Sequence, residues 1–315
     1  MEFQVSLQEI AQAHDRIRPF IHRTPILTSS SVNEVAGCEL FFKCENFQKI
    51  GAFKARGGMN AVFSLPKTQR ERGVVTHSSG NHAQAIALAA KIAGVPAYIV
   101  MPKTAPEIKK KAVVGYGAEV TFCEPTQESR EQTASNIQEE TGATFISPYN
   151  DYAVISGQAT CAKELLEDQD NLDAIIAPVG GGGLIAGSAL SAHYLRPEVT
   201  VYAGEPEGAK DTFFSMEAGE HIKVENPSSI ADGLLATMGD KNFEIIKVLV
   251  KEVFPVSDPE IVGAMRLIWE RMKIIIEPSC AVPVAAILKN RAVFEGKKVG
   301  VILTGGNVDV GSLPF

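Results

Sequence analysis

Metal chelation, disulfide frameworks and polyanion binding each need residues that this 315-residue sequence has little of. Its five cysteines (Cys38, Cys44, Cys123, Cys161 and Cys280) are scattered, and no C-x-x-C pair occurs. That excludes a zinc ribbon or a disulfide scaffold and leaves buried thiols in a reducing cytosol. The six histidines never fall into an H-x-x-x-H spacing, so transition-metal chemistry is not indicated. Thirty Lys and Arg against 37 Asp and Glu give a net charge of -7, with no basic surplus to neutralise phosphates, so nucleic acid is excluded as the main partner. No apolar run approaches the length of a membrane span. The start, Met1-Glu2-Phe3-Gln4, has neither the basic residues nor the apolar stretch of a signal peptide, and a cytoplasmic protein is expected.

What remains is an ordinary globular composition, 45% hydrophobic and 21% charged, long enough for one large or two moderate domains. Ser6-Leu7-Gln8-Glu9 reads as a capping box before a helix that Pro19 ends. After a short strand at 40–42 the chain alternates: strand 73–76, helix 81–93 closed by Gly94, strand 97–101, a helix opened by Pro106, strand 118–122, helix 128–141 and strand 143–146. A second series follows, with helix 154–168, strand 173–179, helix 184–195, strand 199–203, helices near 241–251 and 259–273, and a last strand 299–303. Strands alternating with helices predict parallel sheets covered on both faces. Two series predict two three-layer α/β lobes with a ligand cleft between them. We expect residues 1–46 and 150–315 in the larger lobe and 47–149 inserted as the smaller one.

Three glycine- and hydroxyl-rich segments sit where a strand should end. Ser78-Ser79-Gly80-Asn81-His82 precedes a helix whose unpaired amides would seat a carboxylate or phosphate, although an ordinary helix cap reads the same way. Gly180-Gly181-Gly182-Gly183 leaves the backbone bare, as suits amides wrapping an anion. Gly181, Gly183 and Ala186 also fit the dinucleotide pattern G-x-G-x-x-A, with Glu205 placed for a ribose, so an NAD(P)-dependent oxidoreductase is a rival. Thr304-Gly305-Gly306-Asn307 is either a ligand-facing strand end or a plain turn. Lys54 separates the rivals: it opens a helix amid glycines, and a buried lysine becomes a nucleophile for carbonyls, which no dinucleotide enzyme demands at this segment.

Taken together, Asn46-Phe47-Gln48, Gly51-Ala52-Phe53-Lys54-Ala55-Arg56-Gly57, Ser78 to His82, Gly180 to Gly183, Glu277-Pro278 and Gly305-Gly306-Asn307 resemble the fold-type II pyridoxal-phosphate enzymes, in the serine racemase and serine/threonine dehydratase group. The resemblance runs from about Ile17 to Val310. It implies that Lys54 holds pyridoxal phosphate covalently, with Phe53 against its ring, Asn81 on its hydroxyl, Gly180 to Gly183 around its phosphate and Thr304 at its nitrogen, where the racemases usually have serine. Ser78, Ser79, Asn81 and His82 would bind the substrate carboxylate. Lys54 and Ser79 would act as bases on opposite faces: both together racemise, while Lys54 and a leaving β-hydroxyl give a keto acid and ammonia.

The same resemblance places Mg²⁺ or Ca²⁺ on Glu205, Asp211 and the Ala209 carbonyl, a hard-oxygen set. It places ATP, as an activator, at Ser29, Ser30, Ser31, Lys49 and Tyr116, and it implies a homodimer. The chain departs from the pattern where Ile50 stands for a threonine, Tyr149 for an asparagine, and Ala236 for a serine near the substrate. Arg130, with Ala52 and Pro148-Tyr149-Asn150, leans instead toward relatives acting on 3-hydroxyaspartate, whose second carboxylate a guanidinium would pair with. Two reactions are therefore expected from the residues, serine racemisation with dehydration or ammonia loss from threo-3-hydroxy-L-aspartate.

Overall fold

The computed structural model of the chain describes residues 3–105 and 107–315. Its strands are β1 (Ile26–Leu27), β2 (Glu39–Cys44), β3 (Val74–His77), β4 (Ala97–Pro102), β5 (Glu119–Cys123), β6 (Thr144–Phe145), β7 (Ala174–Pro178), β8 (Thr200–Pro206), β9 (Val250–Val256) and β10 (Lys298–Leu303). They form a six-stranded sheet ordered β1-β2-β10-β7-β8-β9 and a four-stranded sheet ordered β5-β4-β3-β6. Only β1–β2 is antiparallel. The expected α/β architecture with mostly parallel sheets is what the chain adopts. All five residues of β7 are buried, as a strand covered on both faces must be. Gly300 in β10 lets helix Tyr152–Asp168 lie close, since a Cβ there would come within 2.8 Å of Leu165 Cδ2.

Local signals were kept wherever nothing tertiary opposed them. Ser6 and Glu9 form the reciprocal capping box, the Ser6 amide donating to Glu9 Oε2 at 2.7 Å and the Glu9 amide to Ser6 Oγ at 3.3 Å. Helix Asn81–Ala93 ends on Gly94, whose φ of 68° is the left-handed cap that glycine favours. One expectation is corrected. Residues 250 and 251, read as the end of a helix, open β9, and the helix stops at Leu249. Val250, Val253, Phe254 and Val256 pair along β8, and that pairing outweighs the helical continuation. Helices Ser30–Ala36, Asp211–Ala218 and Pro278–Lys289 and the two-residue β1 are additional to the elements expected. The helix expected to open at Pro106 is described from Glu107 to Gly115, and position 106 itself lies outside the described residues.

Helix Lys54–Ser64 is wedged between two others. A Cβ on Gly57 would meet Gln158 Nε2 at 2.4 Å, and one on Gly58 would meet Ala85 Cβ at 2.9 Å. The glycines after Lys54 therefore serve close helix packing, against Tyr152–Asp168 on one side and Asn81–Ala93 on the other. Arg56, in the first turn, is fully buried and grips two carboxylates. Its Nε and Nη2 donate to Glu45 at 2.7 and 2.8 Å, and its Nη1 and Nη2 donate to Glu164 at 2.9 and 2.7 Å. Lys43 Nζ adds a bond to Glu164 Oε2 at 2.8 Å and another to Thr24 O at 2.8 Å, and His14 Nε2 lies 3.2 Å from Glu164 Oε1. Burial pushes Glu164 upward, but the hydrogen bonds from His14 and Arg56 and the charges of Arg56 and Lys43 outweigh it and hold the carboxyl well below the usual range.

Removing one member of such a cluster leaves the others buried and uncompensated. Arg56→Met is expected to lower unfolding free energy by about 3–5 kcal/mol in urea titrations. Glu164 has a folded pKa below its unfolded value of about 4.5, so its stabilisation is complete above that pH and is lost as pH falls further. Wild-type unfolding midpoints should therefore drop on acidification below about pH 4.5, and in Glu164→Gln this drop should be smaller.

Candidate active site

The residues flanking Lys54 are laid antiparallel along the turn after β10. The Phe53 amide donates to Thr304 O at 2.9 Å, Ala52 bridges Gly305, and the Gly306 amide donates to Gly51 O at 3.0 Å. Asn307 Nδ2 closes the strap by donating to Ile50 O at 2.7 Å. Ile50 and Gly51 both adopt positive φ, 59° and 70°. A β-branched residue in that region is strained, and the Asn307 bond is what holds it there. Lys54 thus opens its helix with its direction fixed by contacts on both sides.

The Lys54 amine donates to Pro148 O at 2.8 Å. Although solvent still reaches part of the side chain, desolvation of the amine lowers its pKa to about 8, so about a tenth is neutral at pH 7. The Phe53 ring lies beside it, centroid 5.2 Å from Nζ. Thr304 is buried and in hydrogen-bond contact with the Cys280 thiol. Phe53 thus adjoins both Lys54, through its ring, and Thr304, through its main-chain amide.

The Ser78–His82 segment links β3 to helix Asn81–Ala93. Ser78 Oγ accepts from the Gly80 amide at 3.3 Å, and around Gly80 there is open space where a Cβ would point. Asn81 Nδ2 donates to Glu277 at 2.9 Å, and Asn81 Oδ1 accepts from Asn307 Nδ2 at 2.8 Å. His82 turns its buried ring toward Ile146 O, 3.4 Å from Nε2. Burial, with the Lys54 charge, holds His82 well below its ordinary value and therefore neutral. What His82 offers the cleft is accordingly its main-chain amide in the first helical turn.

Gly180 to Gly183 link β7 to helix Gly183–Leu195. Among the described residues, nothing accepts from the amides of Gly180, Gly181 or Gly182. Added Cβ atoms would meet the Leu234 backbone at 2.8 Å from Gly180, the Tyr149 ring at 2.3 Å from Gly181, and Asn242 Cβ at 2.8 Å from Gly182, whose φ is 91°. Crowding on one side and unengaged amides in the loop suit an anion held by backbone. Amides for a phosphate, a partly neutral amine for an aldehyde and a hydroxyl for a ring nitrogen fit pyridoxal phosphate.

Arg130 stands on helix Gln127–Thr141, with Nε buried and without a partner among the described residues. Its charge acts on His77, at the end of β3, and on Cys123. Glu205, at the end of β8, is fully buried and accepts from the amides of Thr212 and Phe213 at 3.0 and 2.8 Å. Burial raises its pKa to about 8 despite those bonds, and the Asp211 charge adds to the rise. Asp211 is raised too, chiefly by burial, and accepts from the Met238 amide at 2.8 Å. Both Glu205 oxygens are taken up by main-chain amides of the following helix, a local role that the dinucleotide reading does not call for. The described residues contain no group of three acidic, histidine or cysteine side chains that could hold a metal. A cation at Glu205 and Asp211 would need the Ala209 carbonyl and water to complete its shell, and two buried, neighbouring carboxylates fit that need.

The proposed nucleotide residues fall in three places. Ser29 caps helix Ser30–Ala36 and lies 3.2 Å from Ser31 Oγ, Lys49 begins the strained turn before Lys54, and Tyr116 packs on the core beneath the four-stranded sheet. No hydrogen bond or ion pair among the described residues joins the three. Glu277 and Asn307 were legible only as parts of motifs, and their link to Asn81 appears only in three dimensions. Asn242, against the glycine loop, carries no sequence signal at all.

Comparison with known proteins agrees with this geometry. The family model described as "Pyridoxal-phosphate dependent enzyme" matches residues 17–305. The beta-hydroxyaspartate dehydratase of Paracoccus denitrificans (strain Pd 1222) is 53% identical over 308 residues, 98% of each chain. The serine racemase of Dictyostelium discoideum is 50% identical, covering 98% of this chain and 97% of the other. The solved structure of maize serine racemase superposes with a TM-score of 0.96 at 46% identity, over 98% of this chain and 95% of that one. The lysine at the cleft, the bare glycine loop and these matches place the chain in the pyridoxal-phosphate dependent enzyme family, not among the dinucleotide oxidoreductases.

Proposed function

We propose that the chain is a serine racemase with serine/threonine dehydratase activity. The observation that carries it is the Lys54 amine, its pKa lowered to about 8, which donates to Pro148 O next to Tyr149, the residue packed on Gly181, and whose charge acts on His82. Phe53, Asn81, Gly180 to Gly183 and Thr304 would hold pyridoxal phosphate beside Lys54. Pyridoxal phosphate, when bound, supplies an electron sink for bond breaking at the substrate α-carbon. Ser78, Asn81 and the His82 amide orient the substrate carboxylate against the helix start. Lys54 Nζ takes the α-proton on one face, and Ser79 Oγ serves the other. A proton returned by Ser79 inverts the centre. A β-hydroxyl lost first leads, after hydrolysis, to a keto acid and ammonia.

A second reading, threo-3-hydroxy-L-aspartate ammonia-lyase giving oxaloacetate, is favoured by the unpartnered Arg130 Nε near the end of β3 and by the name of the Paracoccus relative. Mg²⁺ or Ca²⁺ on Glu205, Ala209 and Asp211 would neutralise two buried carboxylates and brace the β8 end. ATP at Ser29, Ser30, Ser31, Lys49 and Tyr116 enters as an activator on resemblance alone. We place the enzyme in the cytoplasm, which suits its five buried free cysteines, as a homodimer with residues 47–149 forming the smaller lobe.

Lys54→Ala is expected to abolish the visible absorbance of the purified protein together with both activities; a colourless wild type would overturn the assignment. Uptake of pyridoxal phosphate by wild-type apoprotein should quicken about tenfold per pH unit below about pH 8 and level off above it, following the neutral amine. Ser79→Ala should spare elimination from L-serine while slowing racemisation by about 10²–10⁴-fold, read by chiral analysis of products; equal loss of both would refute the two-base assignment. Arg130→Ala should raise KM for L-threo-3-hydroxyaspartate by roughly ten- to hundredfold and leave that for L-serine unchanged. No effect on either substrate would remove Arg130 from the site.

A further inference from the structure

Asn242 lies in the first turn of helix Asp240–Leu249, outside every motif named above, and is fully buried. Its Nδ2 donates to Gly181 O at 2.6 Å and to Tyr149 O at 3.2 Å, using both protons of the carboxamide. The Gly239 amide donates to the same Gly181 carbonyl at 3.1 Å. Two donors from one segment thus fix the direction of a single peptide carbonyl in the middle of the glycine loop. The described residues contain no cis peptide bond, so the N–H of Gly182 must point opposite to the Gly181 carbonyl, away from Asn242. Gly182 meets this demand with its φ of 91°, and Asn242 Cβ fills the space where a Gly182 side chain would stand. Tyr149, whose ring covers Gly181 and whose carbonyl takes the other Asn242 proton, ties the carboxamide in place.

Asn242 Oδ1 is buried with no partner among the described residues. A position that only filled space would be better served by an apolar side chain. We propose that Asn242 is a positioning residue for the cofactor's phosphate: it turns the Gly181 carbonyl out of the seat and thereby aims the loop amides into it. This rests on the assignment of the glycine loop to pyridoxal phosphate and adds to it a residue that touches neither cofactor nor substrate.

The test compares two probes on full-length apoprotein, pyridoxal phosphate and pyridoxal, which differ only by the phosphate. Asn242→Ala should raise the Kd for pyridoxal phosphate by roughly 10- to 100-fold, as the loss of two oriented hydrogen bonds implies, and that for pyridoxal by less than about twofold. Asn242→Asp keeps the size, loses both donors and adds a negative charge, and it should weaken pyridoxal phosphate further. Inorganic phosphate should raise the Tm of wild-type apoprotein more than that of either variant, which keeps the comparison available if one variant binds no cofactor. Equal weakening of both probes, or unchanged pyridoxal phosphate binding, overturns the proposal. A wild type that binds neither probe overturns the cofactor assignment itself, an outcome the variants alone could not produce.

Discussion

Everything that the site does depends on the buried cluster around Arg56. Two carboxylates, Glu45 and Glu164, meet two cations, Arg56 and Lys43, in a place closed to solvent. An ion cluster so deep is a weak source of stability, because desolvating four charges offsets most of their attraction. Its geometry is nevertheless demanding. The guanidinium fork is satisfied only when the turn after β2, helix Lys54–Ser64 and helix Tyr152–Asp168 meet in one register. Lys54 is two residues before Arg56 on the same helical turn, so the arrangement that satisfies the charges also fixes where the amine emerges. An apolar core would tolerate small rotations of that helix, and this cluster does not.

From that fixed point the electrostatics of the cleft follow. The Lys54 amine is desolvated and has a carbonyl, not a carboxylate, as its acceptor, so nothing restores its charge. The Glu277 carboxylate accepts from the Asn81 carboxamide at 2.9 Å. The starts of helices Asn81–Ala93 and Gly183–Leu195 offer backbone amides, which under the proposed function receive the substrate carboxylate and the phosphate. Amides carry no titratable proton and hold anions at any pH at which the protein is folded. Lys54, with its pKa lowered to about 8, changes protonation near neutral pH, as buried Glu205 at the end of β8 also does.

Most of the fold was legible because its strands and helices are locally self-consistent. The sequence period, the capping box at Ser6 and the Gly94 stop agree with the elements formed. Reading failed at β9, where helix Asp240–Leu249 runs without a break into a strand whose identity comes from pairing with β8. In the site, Lys54 and the four glycines stood out by their company, but their proposed roles came from the resemblance, since a lone lysine is usually solvated and the glycines also fit a dinucleotide loop. The glycines proved doubly determined: Gly57, Gly58 and Gly181 are also required by neighbours that crowd them. Arg56, Glu277 and Asn242 were invisible as actors. Each works through a partner more than 10 residues away in sequence, and no spacing rule records such pairs.

The two sheets divide the work of the site. Parallel strands present their C-terminal ends on one side, where ligands collect in α/β proteins. β7 and β10, in the larger sheet, end in the glycine loop and Thr304, the residues proposed for the cofactor's phosphate and ring. β3, in the smaller sheet, ends in Ser78 and Ser79, and Arg130 lies beside it on helix Gln127–Thr141. Under the proposed function the smaller sheet carries Ser79 and Arg130 for the substrate, but the Ser78–His82 segment after β3 also supplies Asn81 toward the cofactor, so the two roles meet there. The strap between Lys54 and Thr304 is tied to that segment through Asn307, whose Nδ2 donates both to Ile50 O and to Asn81 Oδ1. A relative named for racemisation and one named for dehydration are 50% and 53% identical to this chain over nearly its whole length, so the choice between the two reactions falls to individual side chains at the site and not to the fold.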